Sequence, residues 1–244
     1  MRENLIYGIR STIEAINSGK EINKVLIQHG TQGELMSELL SLLKEKAIPS
    51  QNVPPQKIYK LSRDNHQGVV AFMSPIEYGD LEAIVMETLE AKKNPLILIL
   101  DRITDVRNFG SIARSAECLG VDAIVIPKRE AAQVTADAIK TSAGALLKVK
   151  ICREENLRDT MLMLQQSGVL IVASSEQAET PVSEFDFKVP VAIVMGSEEN
   201  GVSKDIYKRC DAQIQIPMIG EIASMNVSVS CGIVLYEINR QRNA

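Results

Sequence analysis

Two carboxylates, Glu198 and Glu199, follow directly on the apolar run 191–195 and lie between Gly196 and Gly201, with a helix start at Ser203 beyond. The two glycines have the separation of a phosphate-binding P-loop, but Val202 stands where the phosphate-reading lysine belongs. Backbone N–H groups in such a loop attract anions, and neighbouring carboxylates repel them. The stretch therefore suits a cationic or neutral ligand better than a phosphate. Taken alone, it is equally an ordinary strand–helix connection with two solvated glutamates.

Two more loops carry residues of this kind. Asn108, Gly110 and Arg114 have N-x-G-x-x-x-R spacing. Asn108 reads as the N-cap of a helix, with Arg114 in its second turn. Further on, Ile216-Pro217 ends a strand, and Ser224-Met225-Asn226 stand just ahead of an apolar helix, where Ser224 or Asn226 would satisfy its first N–H groups. Each motif alone is no more than capping chemistry beside a solvent-facing side chain. Three of them at strand ends, in one order, within one domain, point to a shared site.

The elements that must position these loops come from periodicity. From residue 95 the chain alternates: LILILD, DAIVIP, LLKVKI, VLIVAS, VAIVMG and AQIQIP read as strands, and the stretches between them, with the closing SVSCGIVLYEINRQ, read mostly as helices. Continuous apolar strands alternating with helices predict an α/β parallel sheet covered on both faces. Ligand crevices form where such strands end, here near residues 101, 126, 173, 195 and 216. Residues 1–75 read as a smaller α/β unit, with helices at RSTIEAIN and GELMSELLSLLKEK, a helix start at the prolines of NVPPQKIYKLS, and strands at KVLIQ and QGVVAFM. Residues 76–94, bounded by Ser-Pro and Asn-Pro, read as a linker that is helical over 80–91. The expected domains are therefore 1–75, a linker at 76–94, and 95–244.

Composition narrows the function. The net charge of −4 and pI near 5.4 do not suggest a strongly basic nucleic-acid binder. The charge is uneven, however, since the first 75 residues carry nine Lys/Arg against seven Asp/Glu. Tryptophan is absent and aromatics make up 4%, so base-stacking platforms do not dominate the chain. Four cysteines, at 118, 152, 210 and 231, form no C-x-x-C, and with two histidines a zinc site is not expected. Reduced thiols, no apolar run that spans a bilayer and no signal-peptide core in MRENLIYGIR point to a cytoplasmic protein.

The three motifs together, Asn108-x-Gly110-x-x-x-Arg114, then Val194-Met195-Gly196-Ser197-Glu198-x-x-Gly201, then Ile216-Pro217-Met218 with Ser224-Met225-Asn226-Val227-Ser228, resemble those of the SpoU family of RNA ribose 2′-O-methyltransferases. YGIRSTIEAI and HQGVVA, near the start and at 66–71, resemble the substrate-binding domain of the RlmB/TrmH branch. Two positions depart from the family pattern: Val106 where proline is frequent and Met225 where leucine is usual. Both are apolar exchanges.

The resemblance implies a C-terminal trefoil knot, which breaks the usual unknotted rule. It also implies S-adenosylmethionine as cofactor and a homodimer with the cofactor site near the subunit contact. It assigns Gly196, Ile216 and Met225 to the cofactor, with Gly196 allowing close backbone approach and backbone groups near the other two reading adenine. It assigns Arg114 to catalysis, with Asn108, Glu198, Ser224 and Asn226 orienting it and the ribose. An arginine does not deprotonate in proteins, so Arg114 is expected to stabilise the developing alkoxide, its guanidinium plane fixed by Glu198.

The expected reaction is 2′-O-methylation of a guanosine ribose in 23S rRNA, because the chain has the extra N-terminal domain that smaller tRNA-acting relatives lack. Arg10, Lys20, Lys24, Lys57, Lys60 and Arg63 are candidate phosphate contacts, each also readable as solvated surface. His66 and Gln67 either read RNA or cap a strand. The rival readings are a tRNA 2′-O-methyltransferase, a non-catalytic RNA-binding or ribosome-assembly factor, and a nucleotide-binding dehydrogenase. No G-x-G occurs, which removes the dinucleotide fingerprint.

Overall fold

Residues 5–61, 65–222 and 224–244 are described by the structure, a computed structural model. The chain divides into two compact units, one of Met1–Glu77 with Val134–Ala136 and one of Tyr78–Gln133 with Asp137–Ala244.

The first unit contains β1 (Leu5–Tyr7), α1 (Ile9–Asn17), β2 (Ile22–Gln28), α2 (Glu34–Glu45), β3 (Ser50–Val53), α3 (Pro55–Leu61) and β4 (Val69–Met73). Its sheet has the order β1-β4-β2-β3. β4 pairs antiparallel with β1 and β2, and β3 runs parallel to β2 at the edge. The alternation of β2 and β4 gives the sheet two apolar faces. Val25, Ile27, Val69 and Ala71 pack with Ile13, Ile16, Leu39 and Leu43 of α1 and α2. Leu26 and Val70 pack with Val53 and with Ile58 of α3. Burying each such side chain contributes about 1.5–3 kcal/mol. β1 and β3 had no readable sequence pattern: β1 has three residues, and Ser50, Gln51 and Asn52 of β3 are exposed.

The second unit contains α4 (Leu81–Glu90), β5 (Leu96–Leu100), α5 (Val106–Cys118), β6 (Ala123–Pro127), most of α6 (Ala136–Thr141), β7 (Lys150–Glu154), α7 (Leu157–Gln166), β8 (Leu170–Ser174), β9 (Val191–Met195), α8 (Lys204–Tyr207), β10 (Ala212–Ile214) and α9 (Val227–Arg242). Its six strands are all parallel, in the order β10-β8-β9-β5-β6-β7. The chain builds outward from β5 through β6 to β7 and crosses back to β8. β9 then enters between β8 and β5, and β10 ends at the far edge. The sheet is buried throughout β5 and β9. One face packs on Leu157, Met161 and Leu164 of α7 and on Leu81 and Val85 of α4. Helices α5 and α9, which pack against each other, bury Phe109, Ile112, Val234, Leu235 and Ile238.

The segment read as a linker thus contributes α4 to the second unit's core. Its helix is capped by Asp80, whose side chain accepts from Ala83 N. The stretch LLKVKI, read as one strand, is a 3-10 turn over Ala145–Leu147 followed by β7. Cys152 and Cys231 are core residues, and burial pushes both thiols up to about 12.

Candidate active site

Three strand ends and one helix start make the site. Leu100 of β5 pairs with Met195 of β9, so the loops after them leave the sheet side by side, and Asp101 N donates to Met195 O at 2.9 Å. After β9 the chain folds back on itself. Ser197 N donates to Gly201 O at 3.1 Å, and Gly201 N to Ser197 O at 2.9 Å. This return explains Gly196: a Cβ there would lie 2.0 Å from Gly201 C and from Val202 N. The glycine is required by the loop's own backbone, where the sequence had suggested only room for a ligand.

Two residues beyond β5, which no motif had marked, fasten this loop. Asp101, 4% exposed, accepts from Ser203 N at 2.6 Å and from Arg102 Nε at 3.3 Å. Arg102 Nη2 donates to Gly201 O at 3.2 Å. Arg102 has φ +59°, a left-handed conformation unusual for a non-glycine residue and costly by about 1–3 kcal/mol. The strain is offset by a guanidinium that ties both arms of the turn.

Asn226 joins the three motifs. It is the N-cap of α9, its Oδ1 accepting from Ser228 N at 3.0 Å and Val229 N at 3.3 Å. Its Nδ2 donates to Asn108 Oδ1 at 3.0 Å and also to Glu198 Oε1. Residues 118 and 28 positions away are thereby held on one amide. Ser228 Oγ completes the group at 2.6 Å from Asn226 Oδ1.

Two expectations change here. Asn108 does not cap α5; Asp105 does, accepting from Arg107 N at 2.9 Å and Asn108 N at 2.8 Å. The helix begins three residues earlier than the spacing suggested and frees the Asn108 amide for Asn226, so Arg114 falls in its third turn. Gly110 lies within this helix, and a Cβ there would meet Thr141 Cβ at 2.8 Å, which requires a glycine. Second, Glu198 is taken by Asn226 and not by Arg114. Arg114 is exposed and makes no hydrogen bond or ion pair among the described residues.

Beside this group lies a cavity of about 420 Å³, within the usual range for small-molecule sites. Gly196, Glu198, Ile216, Ser224 and Met225 line it, as five of the eight expected site residues. Asn108 and Asn226 stand behind Glu198, and Arg114 is not among the lining residues. Ser174, Ser175, Glu176 and Gln177, at the end of β8, also line it. Sequence reasoning marked that strand end as a crevice position but found no motif there.

The lining has three carboxylates, Glu176, Glu198 and Glu199, and neither lysine nor arginine. Its other wall is apolar, from Met195, Ile216, Met218, Met225 and Val227. The backbone N–H and C=O of Ile216 and Met225 have no partners among the described residues. Such a lining suits a ligand with positive charge, an apolar body and a polar edge for backbone groups to meet better than it suits a phosphate. S-adenosylmethionine, with its sulfonium, carbon skeleton and adenine, has those properties.

Comparison with known proteins agrees. The model of the SpoU rRNA Methylase family matches residues 95–236, and that of RNA 2′-O ribose methyltransferase substrate binding matches residues 5–79. A relative from Staphylococcus saprophyticus, named for the TrmH family of tRNA/rRNA methyltransferases, is 40% identical over 100% of this chain and 98% of its own. The crystal structure of the SpoU methyltransferase AviRb from Streptomyces viridochromogenes, in complex with AdoMet, is 26% identical. It covers 98% of this chain and 90% of its own, with a TM-score of 0.63. The TrmH/SpoU tRNA modifying enzyme of A. aeolicus is 32% identical, covers 66% of this chain and 82% of its own, and has a TM-score of 0.57.

Proposed function

The chain belongs to the SpoU rRNA methylase family and is an RNA methyltransferase that uses S-adenosylmethionine, and from that premise we propose that it methylates a guanosine ribose 2′-hydroxyl in 23S rRNA. What favours ribosomal RNA is coverage. The tRNA modifying enzyme of A. aeolicus reaches only 66% of this chain, whereas the substrate-binding model occupies residues 5–79 in addition to the SpoU rRNA Methylase model at 95–236.

When bound, S-adenosylmethionine supplies a methyl group activated by its positive sulfur. The residues of this chain supply position and charge. Glu176, Glu198 and Glu199 give the cavity a negative rim that suits the sulfonium. The backbone groups of Ile216 and Met225, without partners among the described residues, meet the adenine edge in this reading. Asn226 fixes Asn108 and Glu198 together, so the wall facing the ribose is held before RNA arrives. The Arg114 guanidinium donates hydrogen bonds to the developing alkoxide, and a phosphate oxygen of the RNA or a water takes the proton. Ser224 contacts the ribose.

The same reading includes the knot and a homodimer. The dimer is supported by the outer side of α9, where Val229, Ile233 and Tyr236 are exposed in a stripe, and by Arg114, which is exposed and does not line the cavity of its own subunit. The test is incorporation of labelled methyl from S-adenosylmethionine into purified rRNA and purified tRNA, followed by mapping of protected riboses. Methyl on a 23S guanosine ribose is expected. Label confined to tRNA would transfer the activity to that substrate, and label on a base would overturn ribose chemistry.

A further inference from the structure

Outside the cavity, the described part of the first unit has one exposed aromatic side chain that nothing in the fold requires. Tyr59 on α3 is 59% exposed, although its neighbour Ile58 is fully buried. Its ring is not left to rotate freely. It meets the imidazole of His66 edge-on, with centroids 5.1 Å apart and planes at 77°. His66 is itself 7% exposed and is locked by its surroundings. Gly68 N donates to His66 Nδ1 at 3.0 Å, which leaves the ring proton on Nε2.

Gly68 in turn cannot shift. It sits at φ +77°, its carbonyl accepts from Gln28 N at 2.7 Å, and a Cβ there would fall 2.5 Å from Thr31 Oγ1. Buried Gly68 thus holds a buried imidazole, and the exposed phenol packs edge-on against that imidazole. A surface aromatic held in this way has already lost the freedom that binding would otherwise cost.

The sequence next to it is basic, although Glu45 just before it pairs with Lys46 at 3.2 Å. From Lys46 through Leu61 the chain has three lysines and no acidic residue. Lys57 and Lys60 are exposed on α3 on either side of Tyr59 in sequence. The preceding edge strand β3 adds the exposed polar side chains Gln51 and Asn52. An exposed aromatic ring on a short helix that also carries two exposed lysines, next to a polar edge strand, offers the chemistry that takes an unpaired nucleotide, with the base on the ring and phosphate on the ammonium groups.

We propose that Tyr59, braced by His66, is a stacking platform for an unpaired base of the RNA substrate, and that Lys57 and Lys60 hold the adjoining phosphates. This rests on the reading of the chain as an RNA methyltransferase and assigns its RNA contact in the first unit. Arg63, the other basic candidate next to this helix, lies outside the described residues.

The absence of tryptophan provides a direct probe. The tryptophan of a Tyr59→Trp variant is the sole indole in the full-length protein, and its emission reports stacking. Titration with short oligoadenylate should quench it, and the same strand in duplex with oligouridylate should leave it bright. Unchanged emission with the single strand, or equal quenching by duplex, overturns the proposal. In methyl-transfer assays Tyr59→Ala should raise the KM for RNA by roughly 5- to 150-fold, and Tyr59→Phe should restore it. The KM for S-adenosylmethionine, set in the second unit, should not follow. Equal RNA KM for Tyr59→Ala and wild type overturns the proposal while the methyltransferase reading stands. A wild-type protein that transfers no methyl to RNA defeats that reading, and the emission titration then judges the platform alone.

Discussion

The two units solve recognition in opposite ways. In the second, all-parallel strands release their loops at one end, and the loops close over a cavity held by cross-links: Asp101 to Ser203, Arg102 to Gly201, and Asn226 to both Asn108 and Glu198. In the first, a mixed sheet with a polar edge strand offers a surface, and α3 next to it carries one aromatic packed on His66 and two exposed lysines. A small cationic cofactor needs enclosure and fixed acceptors. A long anionic polymer needs charge and a flat contact that tolerates its many shapes. The comparison predicts that damage to the second unit reaches cofactor binding and turnover, and that damage to the first reaches RNA affinity.

The largest effect should come from Gly196→Ala. The added carbon meets backbone and not a flexible side chain, so the loop must open, and calorimetry should detect no S-adenosylmethionine binding. Gly220→Ala, where a Cβ meets nothing within 4 Å, is the matched control and should bind as wild type. Next is Arg114→Ala, expected to lower kcat about 10²–10³-fold with cofactor affinity changed by no more than a few fold. Lost cofactor binding with turnover retained at saturation would instead place Arg114 in the cofactor site.

Asn226 sharpens the comparison because its two roles separate. Asn226→Asp keeps the oxygen that caps α9 but removes the amide donor and sets a carboxylate against Glu198. Turnover should collapse while thermal stability changes little. Asn226→Ala should lose turnover and also about 1 kcal/mol of stability through the lost cap. If both variants kept wild-type turnover, the Asn108–Asn226–Glu198 group would be structural only.

Smaller effects are expected from the first unit. Lys57→Ala and Lys60→Ala should each weaken RNA binding a few fold and reduce the salt dependence by about one counterion. A fall in kcat at saturating RNA would break the division between the units. The smallest effect concerns acid stability. Hydrogen bonds from Arg240 and Gln241 hold the Glu237 carboxyl at about 2, below its usual value near 4.5. A carboxylate depressed on folding stabilises fully above its unfolded pKa and loses that contribution as pH falls from 4.5 toward 2. Glu237→Gln should therefore destabilise at neutral pH and flatten the decline in melting temperature over that window.

The parts of this molecule that were legible in sequence are those governed by local period. β5, β6, β8 and β9 are apolar runs, and they appear where the pattern puts them, whereas β7 begins at Lys150, late in the run LLKVKI, because the first part of that run forms a 3-10 turn. Short polar β3 has no such pattern, since its existence depends on pairing with β2. Sequence alone misplaces the start of α5 because Asn108, a good cap residue, reads as the cap, whereas Asp105 caps the helix and Asn108 instead accepts from Asn226, far away in sequence. Five of the expected residues could be gathered at the cavity because three strand ends carried motifs. Asp101, Arg102 and Ser174–Gln177 carried none, because what marks them is a bond or a wall that exists only after folding.

One feature at the far end of α9 has a consequence for how the protein is made. Arg242 donates to four carbonyl oxygens, those of Asn94, Pro95, Phe187 and Val189. The residues that lead into β5 and β9 are thus fastened by a side chain synthesised 147 positions after Pro95. At the pace of a translating ribosome that interval is on the order of ten seconds, during which the central strands have emerged without their clasp. The clasp on the chain leading into β5 and β9 therefore closes only after α9 has been made.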